Sequence, residues 1–177
     1  MRHSEQGFTM IELMVVVSIL AILTAIAAPS FKGLIESWRV KQEVEGLQSA
    51  IFYARSEAIK RGGGVVLQKI ANNTDGCTLA SSNADWGCGW FVCQDTNGND
   101  QCATAEPVLQ TYKTSGKTEI QRTLKGGESI SFNRWGLPTA AFAFNLLPVN
   151  ASTNSPAARG LCTSSGGRTA ITNSIPC

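Results

Sequence analysis

Few side chains in this 177-residue sequence could do chemistry, and the most unusually placed is Glu12. It lies five residues into an apolar run from Phe8 to Ala28, 21 residues without a lysine or arginine. A charged residue inside a membrane-length helix costs up to roughly 2.5–3.5 kcal/mol, less near an end. Such a carboxylate needs a cation, and this segment holds none. A chain terminus or another molecule must supply it, which is a chemistry of association rather than of turnover.

The other reactive types are scarce or tied up. The single histidine, His3, precedes the apolar run, so nothing after it provides an imidazole base. Cys77, Cys88, Cys93, Cys102, Cys162 and Cys177 all lie beyond the run. An even cysteine count on one side of a membrane segment reads as disulfides in an oxidising compartment, and no C-x-x-C pair suggests zinc. The pairing is open from sequence. Proximity favours Cys93 with Cys102, Cys162 with Cys177 and, by default, Cys77 with Cys88. Ser164-Ser165-Gly166-Gly167 lacks the base of a nucleophile site and the Lys-Ser/Thr of a phosphate loop. No enzyme is expected.

One stretch imitates a cation loop. Asp95, Asn97, Asn99 and Glu106 take positions 1, 3, 5 and 12 of an EF-hand-like spacing. Asp100, however, occupies the sixth position, where that loop needs glycine for its sharp turn. The competing reading is a tight turn built from Asn97-Gly98 and Asn99-Asp100.

These groups must be positioned by a helix and a sheet. Phe8 to Ala28 is about 31 Å long at 1.5 Å per residue, enough for a bilayer core of roughly 30 Å. Ala21, Ala25, Ala27 and Ala28 would allow close helix packing. Pro29 should kink the helix at the end of the apolar run. Val40, Val44, Leu47, Ile51, Ala54 and Ala58 then recur at helical spacing, and Gly62-Gly63-Gly64 ends the pattern. Short strand-like runs occupy 65–67, 89–92, 108–112, 118–120, 129–132 and 141–144. Residues 150–156 read as a polar loop before a closing segment from Arg159 to Cys177. The expected fold class is α+β: a long N-terminal helix laid on an antiparallel sheet. About 150 residues beyond the apolar run suffice for one domain. The net charge of +2 makes no electrostatic case for nucleic acid as an obligate partner.

Met1 to Gly7 followed by Phe8-Thr9-Met10-Ile11-Glu12-Leu13 resembles the signal of type IV prepilins and type II secretion pseudopilins. The resemblance implies cleavage after Gly7 by a prepilin peptidase, N-methylation of Phe8, and pairing of Glu12 with the N-terminal amine of a neighbouring subunit. Further along, Ala54-Arg55-Ser56-Glu57-Ala58, Gly89-Trp90, Glu106-Pro107-Val108-Leu109 and Phe132-Asn133-Arg134-Trp135-Gly136 resemble the family joining H-type minor pseudopilins to FimU- and FimT-type minor pilins.

The organisation so implied is a leader at 1–7, a transmembrane and filament-core helix at 8–28, its amphipathic continuation at 29–61, and a disulfide-containing periplasmic domain at 62–177. The partners would be the major pilin, other minor pilins, the peptidase and the inner membrane. The protein would wait in that membrane with its domain in the periplasm, then pass into a surface pilus as a low-copy subunit of its tip, serving assembly and, through it, twitching motility or DNA uptake. No cofactor is implied.

Three other readings compete. An H-type pseudopilin of a type II secretion system would share every element named so far. Some FimT-type pilins carry a C-terminal Gly-Arg-x-Arg motif that contacts DNA. Here Gly167-Arg168-Thr169-Ala170 keeps half of it, with Arg159 a second cation if the tail folds back. Third, Ala25-Ile26-Ala27 could be a secretory cleavage site, releasing a free periplasmic module.

Overall fold

The computed structural model describes residues 8–177, with the side chains of 27–30 set aside. The cleavage expected at Gly7 lies outside the described residues, and the kink expected at Pro29 falls among those four. One helix, α1, covers Met10–Arg61. Its first part belongs to a unit ending at Ile35 and the rest to a unit spanning Glu36–Cys177.

In the first unit, α1 opens on a capping box. The Glu12 backbone N–H donates to Thr9 Oγ1 at 3.3 Å, and the Thr9 N–H donates back to Glu12 Oε2 at 3.4 Å. Two helix-end donors are thus satisfied reciprocally. Ser18 and Thr24 turn their hydroxyls onto the carbonyls of Met14 and Leu20, as expected of polar residues in an apolar setting. Every described side chain from Phe8 to Ile26 is exposed. Among the described residues no single helix is long and apolar enough to cross a membrane; Met10–Ile26 and Phe31–Arg61 meet the length and composition of a span only as a bent pair.

The second unit packs the rest of α1 against two antiparallel sheets. The expected stripe is its buried face: Val40, Val44, Leu47, Ile51, Ala54 and Ala58 are all within 1% of full burial. Alanines at the end of the stripe let backbone approach closely. The helix stops in a Schellman motif, with Gly62 in the left-handed region (φ 79°) and the Gly63 N–H donating to Ala58 O at 2.8 Å.

The strands are β1 (Val65–Lys69), β2 (Gly89–Gln94), β3 (Val108–Lys113), β4 (Thr118–Leu124), β5 (Ser129–Phe132), β6 (Phe142–Pro148), β7 (Arg159–Thr163) and β8 (Thr169–Thr172). They form one sheet in the order β3-β2-β1-β5 and another in the order β4-β6-β7-β8. The six strand-like runs of the sequence lie on β1–β6, with Ala141 just before β6. Two findings differ from expectation: the single sheet is two, and the closing segment adds β7 and β8. Those two strands read weakly because β8 is half-exposed and Gly160, Gly166 and Gly167 interrupt the apolar alternation.

Side chains from α1 and both sheets share one core, including Leu67, Trp86, Trp90, Ile120, Phe142, Phe144 and Leu161. Trp86 meets Phe144 edge-on at 5.0 Å, and Trp90 stacks on Tyr112 at 4.6 Å. Residues 84–86 run beside β4: Trp86 N–H donates to Ile120 O and Arg122 N–H to Ala84 O, with Asp85 bridged to Gln121.

Candidate functional site

Glu12 holds one end of the first unit and nothing inside the described chain neutralises it. Its hydrogen bonds go to the Thr9 backbone and hydroxyl, both neutral, at distances typical of weak bonds. Around it Phe8 (83% exposed), Met10, Ile11 and Leu13 present bare apolar surface. The Thr9 cap is a functional detail that the sequence reading missed. Its signature, Thr-x-x-Glu before an apolar run, is local enough to have revealed it. The cap fixes the carboxylate at the first turn of α1, within reach of anything that docks against that turn.

In the second unit, three disulfides join Cys77 to Cys88, Cys93 to Cys102 and Cys162 to Cys177. Each ties a loop or tail to a strand, and no described cysteine is free. The first anchors the 70–88 excursion to the entry of β2, the second the 95–106 loop to β2, and the third the C-terminus to β7.

The 95–106 loop is folded around its own carboxylates. Asp95 accepts from the N–H groups of Gly98, Asn99 and Asp100, while Glu106 accepts from those of Thr96, Asn97 and Ala103. The Ala103 and Thr96 bonds hold the Glu106 carboxyl below the usual value against the opposing effect of burial. Asn97 and Asn99 turn their side-chain oxygens onto the Asn99 and Gln101 N–H groups. Oxygens saturated by backbone donors describe Asx turns. Among the described residues, no group of three or more His, Cys, Asp or Glu is placed to hold a metal.

Arg55, on α1, belongs to a stretch resembling the family but has no role assigned from sequence; it is a positioning residue. Its Nε donates to Gly136 O at 2.8 Å and its Nη1 to Gly167 O. One guanidinium therefore gathers the β5–β6 and β7–β8 turns at one place on the helix. Those turns present Arg134, Trp135 and Arg168, all exposed, Trp135 at 72%. Arg159 is elsewhere, which corrects the expectation that it joins Arg168. The two stand at opposite ends of the β7–β8 hairpin, four residues or roughly 13 Å along β7. Arg159 also spends its Nη1 on Pro156 O and Ala158 O.

Buried polar groups elsewhere serve packing. Glu43 accepts the Ser115 N–H at 2.9 Å, and burial followed by the Glu43 charge pushes the Tyr112 phenol up to about 12. Lys69 donates to Ala80 O and Ser82 O, and Arg122 to Ser129 O, with burial lowering the pKa of both.

Comparison with known proteins agrees with this geometry. The family described as type II transport protein GspH matches residues 43–167, and the prokaryotic N-terminal methylation motif matches 2–28. A fimbrial protein of Neisseria meningitidis serogroup A is 28% identical over 153 residues, covering 66% of this chain and 89% of that one. A fimbrial protein of Pseudomonas aeruginosa is 33% identical over 114 residues, covering 64% and 72%. The crystal structure of the type IV minor pilin FimU of Pseudomonas aeruginosa aligns with a TM-score of 0.56 at 19% identity, covering 75% of this chain and 91% of that one, a likeness of fold. The chain belongs to the GspH-type family of type IV minor pilins and pseudopilins.

Proposed function

We propose that this chain is a minor pilin incorporated into a type IV pilus, where it helps to start assembly as part of a low-copy tip complex. The observation that carries the reading is the first unit: an apolar helix exposed along its described length, with one carboxylate that no described group neutralises. In this reading the peptidase cuts between Gly7 and Phe8 and methylates Phe8. The apolar helix sits in the inner membrane with the domain in the periplasm, then leaves lipid for the filament core. Glu12 there meets the amine of a neighbour's first residue. An ion pair of that kind in a dry interface, ammonium to carboxylate, is worth more than the long 3.4 Å bond from the Thr9 N–H that it displaces.

Replacing Glu12 with Ala should leave membrane insertion intact and reduce incorporation into fibres about tenfold or more, read by immunoblot of sheared pili. Glu12→Gln keeps the size and a hydrogen-bond acceptor but not the charge, and should fail similarly. Normal incorporation of both variants would refute the pairing. Mass spectrometry of the native N-terminus should find methylated Phe8; a start at Ala28 would indicate a free periplasmic module.

Two further readings have support of their own. The matched family carries the name of a type II transport protein, so secretion is the rival role. Gene deletion scored for twitching, DNA uptake and exoprotein secretion separates the two. Exposed Arg134, Trp135 and Arg168, drawn together through Arg55, suit contact with nucleic acid, in which cations meet phosphates and an aromatic ring stacks. Salt-sensitive duplex binding that is lost in Arg168→Ala would establish it.

A further inference from the structure

The three disulfides differ in how far the fold hides them. Cys93 is fully buried and Cys88 is 5% exposed, so the bonds to Cys102 and Cys77 each have one end inside the domain. Cys162 is half-buried and its partner Cys177 is exposed. The segments around the first two bonds are also held without them. The Asn73 N–H donates to Cys77 O at 2.7 Å and the Cys77 N–H to Thr74 O at 3.0 Å, while the Cys102 N–H donates to Gln68 Oε1 at 2.7 Å. Segment 173–177 lacks such support. Among the described residues, its one hydrogen bond comes from the adjacent Thr172, whose hydroxyl donates to Ser174 O.

That segment lies as a strap across β7. Leu161 points into the core, so Gly160 and Cys162 face the other side of the sheet. A Cβ on Gly160 would stand 2.9 Å from Ser174 O and 3.5 Å from Cys177 Sγ, so the strap crosses where β7 offers no side chain. Cys162 pairs with Ala170 on β8, and Arg168, two residues from Ala170, shares their face. Cys162, Arg168 and Cys177 line one groove of about 350 Å³ together with Leu124, Phe142 and Ala143. The third disulfide thus borders a hollow whose lining includes a cation.

We propose that Cys162–Cys177 is an exchangeable disulfide, a site of thiol–disulfide exchange with a dithiol protein. Exchange needs a thiolate to reach one sulfur of the bond, which is why exposed disulfides are the labile ones. The incoming thiolate attacks Cys177 Sγ and forms a mixed disulfide. The Cys162–Cys177 bond breaks, and its electron pair leaves on Cys162 Sγ, on the face that Arg168 shares. A neighbouring guanidinium favours the thiolate and therefore its departure. The partner's second thiolate then attacks the mixed disulfide and releases Cys177, and the two cysteines take up the protons that the partner's thiols lost. Two electrons pass to this chain, and the partner ends as a disulfide. Opening detaches 173–177 from Gly160 and widens the groove; closing restores the strap. The core and the other two bonds are the same in both states.

The test is graded reduction of the full chain in detergent micelles with dithiothreitol near neutral pH, trapped by iodoacetamide and read by peptide mass spectrometry. Cys162 and Cys177 should be alkylated at about a tenfold lower dithiothreitol concentration than Cys77, Cys88, Cys93 and Cys102. Simultaneous opening of all three bonds, or earlier opening of either other bond, would overturn the proposal. Gly160→Ala, whose methyl crowds Ser174 O, should lower that concentration further and leave the other two bonds unmoved; an unchanged value would refute the strap. Arg168→Ala should slow the opening about threefold and Arg168→Lys restore it, and equal rates in all three would refute the role given to Arg168. Thioredoxin with its second cysteine replaced by serine supplies a protein thiol that stops at the mixed disulfide. Trapping on Cys177 is expected; trapping on Cys162 alone, or none, would refute attack at the exposed sulfur.

Discussion

Glu12 and Glu106 are the same residue type in opposite circumstances. Glu12 has two weak local contacts and exposed surroundings, so its charge is available to a partner. Glu106 is buried and closes a loop by accepting three backbone N–H groups and the Thr96 hydroxyl. Because those bonds depress its folded pKa, the stability it contributes is fully present above the ordinary carboxyl value of 4.5 and is lost as pH falls through the depressed one. The protection of the Thr96, Asn97 and Ala103 amides, taken relative to their intrinsic exchange rate at each pH, should therefore be high at neutral pH and fall in acid below pH 4.5. In Glu106→Gln the protection of these amides should be low and without a step in acid. Tyr112 works in the opposite sense. Its raised pKa of about 12 means its contribution is full below pH 10 and fades as pH climbs towards 12, with the spectroscopic titration of this tyrosine delayed accordingly.

At the scale of elements, close backbone approach decides where change is tolerated. Gly89 opens β2 at φ 108°, and a Cβ there would stand 2.2 Å from the Tyr112 carbonyl oxygen of neighbouring β3. Gly89→Ala should cost about 2–4 kcal/mol in denaturant unfolding, the combined effect of a left-handed backbone and a clash with main chain. Leu161, fully buried on β7, tests the sheet that the sequence read poorly. Leu161→Ala should cost about 2–5 kcal/mol, as large-to-small core changes do. A value under about 1 kcal/mol would mean that β7 is not part of the core. The helical stripe from Val40 to Ala58 was legible because 3.6-residue periodicity is local. The pairing of β4 with β6, across the whole of β5 and its turns, has no such local record.

Across the whole domain, α1 and the disulfides act as ties among distant loops. Arg55→Ala should raise amide exchange in residues 133–137 and 164–168 together, since one guanidinium holds both turns; acceleration in only one would disprove their coupling. Removing Cys162 and Cys177 together should loosen β8 and the C-terminal tail at a cost of about 2–4 kcal/mol, with the helix–sheet core still protected from exchange.

The sequence alone determined the apolar N-terminal segment with Glu12 inside it, the amphipathic stripe and six of the eight strands. These are set by composition, by spacing along one chain, or by a short contiguous motif. Cysteine order favoured the bonds the structure forms, because short loops close most easily. Tertiary structure alone decided that the strands divide into two sheets, that Arg55 unites two turns, that Arg159 stands away from Arg168, and that segment 173–177 crosses β7 at Gly160. Those arrangements depend on strand register between segments far apart in sequence, where each pairing is set by packing on a shared core rather than by the residues between them.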